Sequence, residues 1–150
     1  MPIILKNKET LQYKNFYFKC AIGKKGLTLN KKEGDNKTPK GKFGIEHLYY
    51  RKDRIRNFSS KLRCIPISKN IGWCYDKKDK KNYNRKIEDL KKIKHEKLYR
   101  KDGLYDLLIP IKYNFSKPKP GKGSAIFLHL TEKYKPTEGC IAINKNDFLI

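Results

Sequence analysis

Ser124-Ala125-Ile126-Phe127-Leu128-His129-Leu130 is followed, after a polar stretch, by Thr137-Glu138-Gly139-Cys140-Ile141-Ala142-Ile143-Asn144. Each apolar run is short and bounded by turn-forming residues, which reads as a strand. Side chains alternate between the two faces of a strand. In the first run Ile126, Leu128 and Leu130 share one face, and Phe127, His129 and Thr131 share the other. In the second, Ile141 and Ile143 oppose Cys140 and Ala142. The aliphatic faces predict the core side, so His129 and Cys140 both leave it. Paired as an antiparallel hairpin, the two would stand opposite each other with Cβ atoms about 5 Å apart.

That juxtaposition has a chemical use. A thiol with an ordinary pKa of about 8.5 is a weak nucleophile until a neighbouring base takes its proton. An imidazole does this and then returns the proton to a leaving amine. Gly139 lets a substrate carbonyl approach the backbone closely. The Gly139 and Cys140 N–H groups can face a developing oxyanion. The segment 131–138 is longer than a tight hairpin needs, as functional loops often are. Against this stands the plain alternative that a His and a Cys on neighbouring strands meet by accident of packing.

Outward from this pair, the rest of the chain also reads as mainly β. Leu11 to Ile22 gives one or two aromatic-rich strands, then Gly23 and Gly26 mark a turn. Gly34-Asp35-Asn36-Lys37-Thr38-Pro39-Lys40-Gly41 is a polar turn leading to Phe43-Gly44-Ile45 and a strand at Leu48-Tyr49-Tyr50. Cys64–Ile67 and Ile71–Cys74 read as short extended pieces, and strands resume over Leu104–Tyr113. Ile87, Leu90, Ile93 and Leu98 fall near helical spacing, which predicts a helix over 86–100. Asn144 or Asn146 is placed to cap a closing helix. No repeat or linker divides the chain, so residues 1–150 are expected to form one domain.

Composition narrows the function classes. Lys and Arg number 37 against 15 Asp and Glu, a net charge of +22. A field of this sign draws any polyanion, whether cell-wall polymer, acidic peptide, nucleic acid or anionic lipid. Abundant Lys, Ile, Asn, Tyr and Phe beside only three Ala also fit an AT-rich coding bias. The lysines are interspersed with acids, as on a solvated face, and no nucleic-acid-binding motif is present, so no specific nucleic-acid partner is expected. No apolar run approaches the roughly 20 residues of a membrane span. Ile3-Ile4-Leu5 is too short for the core of an export signal.

Cys20, Cys64, Cys74 and Cys140 show no CxxC spacing, and His47, His95 and His129 are the only histidines. No zinc site and no cofactor are expected. Cys20 and Cys64 are expected to be buried, while Cys74 fits either a core or a cleft.

At His129 and at Thr137-Glu138-Gly139-Cys140-Ile141 the sequence resembles the L,D-transpeptidase catalytic domain, the YkuD-like family, whose signature is a His, a loop and Ser/Thr-x-Gly-Cys-Ile/Val. A second hallmark, Gly-Asp followed by Thr-Pro-x-Gly-x-Phe, is matched by Gly34-Asp35 and Thr38-Pro39-Lys40-Gly41-Lys42-Phe43. Trp73-Cys74-Tyr75-Asp76, Tyr83-Asn84-Arg85, Leu104-Tyr105-Asp106 and Gly123–Phe127 resemble a bacterial subgroup of the family. The resemblance implies a β-sandwich and a cysteine nucleophile acting on peptidoglycan stem peptides at the cell envelope or periplasm. Cys140 would cleave an L–D peptide bond through a thioester, His129 would serve as base, and an amine acceptor would take the acyl group. Thr137 would orient the loop or His129, and Gly139 with Cys140 would supply the oxyanion N–H groups. Phe127, Ser124, Asn84, Arg85 and Glu138 are the expected substrate contacts. Two positions depart from the common pattern: Glu138 replaces a His before the Gly, and Ala142 replaces an Arg after the Cys. With Ala142 there, Arg85 or a lysine would have to meet a substrate carboxylate. Alternatives from other classes are an L,D-carboxypeptidase that trims stem peptides, and an idle basic domain that grips cell wall or nucleic acid.

Overall fold

Turn residues every few positions keep each extended run short. The structure, a computed structural model, describes residues 1–90 and 92–150. In chain order its elements are β1 (Ile3–Asn7), β2 (Thr10–Tyr13), β3 (Phe16–Ala21), β4 (Leu27–Thr28), β5 (Thr38–Pro39), β6 (Leu48–Tyr50) and β7 (Cys64–Pro66). There follow β8 (Gly72–Cys74), β9 (Lys86–Ile87), β10 (His95–Lys97), β11 (Leu107–Pro110), β12 (Phe127–Leu130), β13 (Ile141–Ile143) and α1 (Lys145–Phe148). The fold is mainly β, as the punctuation of the sequence predicts.

Eight strands form one sheet in the order β1-β2-β3-β13-β12-β11-β6-β7. A smaller sheet, β10-β8-β9, carries Trp73, and β4 pairs with β5. Alternation sends side chains of the large sheet into two cores. Cys20, Leu48, Leu107, Leu128, Leu130 and Ile143 pack on one face. Tyr49, Leu108, Phe127 and Cys140 pack on the other, against Trp73 and Leu98. This is the sandwich, and it corrects the one-sided core read from the sequence. The face bearing Phe127 and His129 is covered too, and His129 is only 6% exposed.

Two further expectations fail for identifiable reasons. The predicted helix over 86–100 is absent. Its described residues give β9 and β10 flanking β8 instead, with His95 opposite Cys74 and Ile87 opposite Gly72; Lys91 lies outside the described residues. Strand pairing on both sides of the Trp73 strand outweighs the local periodicity. The second failure is β12 and β13, which are parallel and not a hairpin: Leu128 pairs with Ile141, His129 with Ala142 and Leu130 with Ile143. Cys140 is therefore level with Phe127 and diagonal to His129. Cys64, expected to be buried, is exposed on the edge strand β7. Cys20 and Cys74 are buried. Asn144 caps α1, its side chain accepting from the Asn146 N–H.

Candidate active site

The nucleophile loop is held from several sides before any chemistry is considered. The Thr137 hydroxyl donates to the Cys140 carbonyl at 2.6 Å and accepts from the Gly139 N–H at 3.1 Å. The Thr137 N–H donates to Ile22 O, and Thr137 O accepts from the Lys24 N–H, both at 2.9 Å. The Gly34–Phe43 segment supplies the next clamp. The Thr38 hydroxyl donates to Gly139 O at 2.8 Å and accepts from the Gly23 N–H at 2.9 Å. Gly139 has φ +149, and a Cβ there would lie 2.9 Å from Lys37 O. The close approach that Gly139 permits is thus made by the chain's own loop.

Cys140 is 9% exposed. Its thiol donates to Ala125 O at 3.2 Å, and its Sγ accepts from the Phe127 N–H at 3.3 Å. No hydrogen bond joins it to the imidazole among the described residues. Burial pushes the thiol well above its ordinary value, and the charge of Glu96 adds to this; the Phe127 N–H and the charge of Lys31 act the other way.

His129 reaches Leu130 O through Nδ1 at 2.7 Å. A carbonyl only accepts, so the proton sits on Nδ1 and Nε2 is the basic nitrogen. Burial pulls the imidazole from 6.5 down to about 4, so it is neutral near pH 7. An edge-to-face series positions it: Trp73 on Phe127 at 5.3 Å, Phe127 on Tyr105 at 5.7 Å, and Tyr105 on His129 at 5.1 Å between ring centres.

A cleft of about 1050 Å³ opens over these groups. His129, Cys140, Gly139, Thr137, Ser124 and Glu138 all line it. Phe127, Asn84 and Arg85 are not among its described lining residues. Phe127 is fully buried behind the site, and Arg85 is on the surface. The Ser124 hydroxyl is engaged by Glu33, which also accepts from Tyr83 OH at 2.8 Å.

Asn84 is a scaffold joint. It accepts from Trp73 Nε1 at 2.8 Å and the Ala125 N–H at 3.0 Å, and donates to Tyr113 O at 3.1 Å and Asn114 O at 2.7 Å. Asn84→Ala strands all four partners. It is expected to destabilise the fold by about 3 kcal/mol, lowering Tm by roughly 10 °C. A thermal melt checks this, and an unchanged Tm contradicts it.

Sequence reasoning missed the wall contributed by Glu96, Arg100 and Tyr105, which also lines the cleft. Tyr105 OH donates to Glu96 Oε1, Arg100 Nη1 lies 3.8 Å from that oxygen, and the Arg100 guanidinium sits over the Tyr105 ring at 4.7 Å. Burial pushes the Glu96 carboxyl up. Glu96 was hidden inside the falsely helical segment. Only the Leu104-Tyr105-Asp106 match pointed here. Among the described residues no group of three or more His, Cys, Asp or Glu is placed to hold a metal ion.

Comparison with known proteins gives one match. The family model of the L,D-transpeptidase catalytic domain (YkuD) matches residues 3–149. No curated protein and no solved structure matches the chain.

Proposed function

This chain belongs to the YkuD family of L,D-transpeptidase catalytic domains, and on that premise we propose that it is a cysteine peptidyltransferase acting on peptidoglycan stem peptides. The observation that carries the proposal is one cleft lined by a lone thiol, an imidazole with its basic nitrogen free of the Nδ1 proton, and a clamped Thr137–Cys140 loop. The thiol turns from Ala125 O towards Nε2, gives up its proton, and Sγ attacks the carbonyl on the L side of an L–D bond. The oxyanion forms beside the Cys140 N–H, because the Gly139 N–H is already taken by Thr137. The C–N bond then breaks, His129 returns the proton to the departing amine, and a thioester remains. An acceptor amine attacks the thioester, passes a proton to His129, and the thiolate leaves.

A peptidoglycan substrate implies work at the cell envelope. No helix among the described residues is long and apolar enough to cross a membrane. The test is incubation with a disaccharide tetrapeptide, with and without an amine acceptor, followed by mass spectrometry. Crosslinked product and a transient acyl-protein are expected. Tripeptide alone would make the protein a carboxypeptidase, and an unchanged substrate with no acyl-protein overturns the proposal.

A further inference from the structure

Lysine covers the surface of this protein, yet Lys31 is 4% exposed, the one buried lysine among the described residues. An ammonium is buried only when its charge is met. Nζ donates to Asp35 Oδ1 at 2.5 Å and to Lys32 O at 2.9 Å. Asp35 also accepts from the Lys32 N–H at 2.9 Å and the Lys37 N–H at 3.0 Å. Burial acts to raise its carboxyl, but the bond from Lys31 and the two N–H groups outweigh this and hold it below the usual range. Asp35, held as a carboxylate, fixes Nζ in place.

The route of the Lys31 stem is informative. A Cβ on Gly123 would come within 2.8 Å of its Cγ, and one on Gly139 within 3.6 Å of its Cε. Gly139 precedes the nucleophile. Gly123 precedes the segment whose Ala125 carbonyl receives the thiol proton. The stem thus passes between the two loops that hold Sγ, and Lys31 lines the same cleft as Cys140.

We propose that Lys31 is a positioning residue of the nucleophile: its buried ammonium is the fixed positive charge that favours the Cys140 thiolate. The inference rests on Cys140 as nucleophile. Most of the charged groups around the sulfur act against its ionisation. Glu96 from β10 and Glu138 from the nucleophile loop oppose a thiolate, and Tyr105 stands beside them. His129 from β12 is neutral near pH 7, and Arg100 is committed to Asp102 at 2.5 Å. A cation near a thiol favours its ionised form.

The test is the pH dependence of Cys140 alkylation by iodoacetamide, mapped by mass spectrometry in the full chain. Lys31→Met should move the inflection to higher pH, with a rate about tenfold lower at a fixed pH below it. Lys31→Arg should restore the wild-type profile. Asp35→Asn leaves the ammonium unneutralised and should move the inflection to lower pH. A merely structural tie between Lys31 and Asp35 would shift both variants the same way. Same-sign shifts, or a wild-type profile in folded Lys31→Met, overturn the proposal. Where Lys31→Met does not fold, the sign of the Asp35→Asn shift decides alone. The readout is the sulfur and not peptide turnover, so failure here is separable from failure of the peptidyltransferase reading.

Discussion

Cys140→Ala is expected to abolish covalent capture of a stem peptide and to lower turnover roughly 10⁴-fold or more, since no other group in the cleft can form the thioester. A carbapenem, a covalent probe expected to suit this family, should lose its adduct in the same variant. The other three cysteines explain why the adduct must be mapped. Cys20 is buried in the opposite core, where burial pushes its thiol up to about 11. Cys74 is fully buried, and burial raises its thiol too. Cys64 is exposed, with its thiol reaching only Leu62 O at 3.4 Å, and any general thiol reagent will find it. Labelling at Cys64 therefore says nothing about catalysis. Cys20→Ala, Cys64→Ala and Cys74→Ala should keep the carbapenem adduct. A carbapenem adduct absent from Cys140 in the wild type, or one that survives when Cys140→Ala is combined with Cys64→Ala, sinks the assignment of the nucleophile.

What the sequence made legible was what is local. β6 at Leu48–Tyr50, the paired strands around Cys20 and the Asn144 cap follow from runs and punctuation that neighbouring residues carry by themselves. Partnership is not local. Two short strands joined by 131–140 suggest a hairpin, and nothing in their residues says that β13 will lie parallel to β12 while pairing antiparallel with β3 on its other side. The segment 86–100 shows the same limit. Its apolar residues fit a helix, but β8 takes a partner on each edge and the segment supplies both. Burial of His129 was equally hidden, because Tyr105, which covers it, comes from a loop far along the chain. The expected shared face survives these errors for a simple reason. His129 and Cys140 share a face of adjacent strands whether those strands run parallel or antiparallel; only the offset between them changes. The role of Gly34–Phe43 could not be read at all without coordinates, since it acts through Thr38 and Lys37 on Gly139, across the fold.

His129→Asn should slow acylation of Cys140 roughly 10²–10⁴-fold, the usual range for a lost general base. The tautomer of the ring sets this expectation. Leu130 O holds the Nδ1 proton, so Nε2 keeps its lone pair, and the Tyr105 edge fixes the ring plane. Asparagine can keep a hydrogen bond but cannot carry the proton. The same burial predicts a pH signature that does not depend on catalysis. The imidazole falls from 6.5 to about 4 on folding. Between those values the unfolded chain binds a proton that the folded chain refuses, so stability is complete above pH 6.5 and declines as pH drops towards 4. The decline from this group is on the order of 3 kcal/mol. Denaturant unfolding across pH 4–7 should show that slope in the wild type and a flatter one in His129→Asn. Acylation itself should show no acid limb near pH 6.5, because the base is already unprotonated there, and should rise towards alkaline pH with the thiolate. An acid limb at 6.5, or equal slopes in the two proteins, would mean the ring is solvated in solution. An acylation rate in His129→Asn within threefold of wild type would mean that another group accepts the thiol proton, and the diagonal Cys140–His129 pair would lose its chemical meaning.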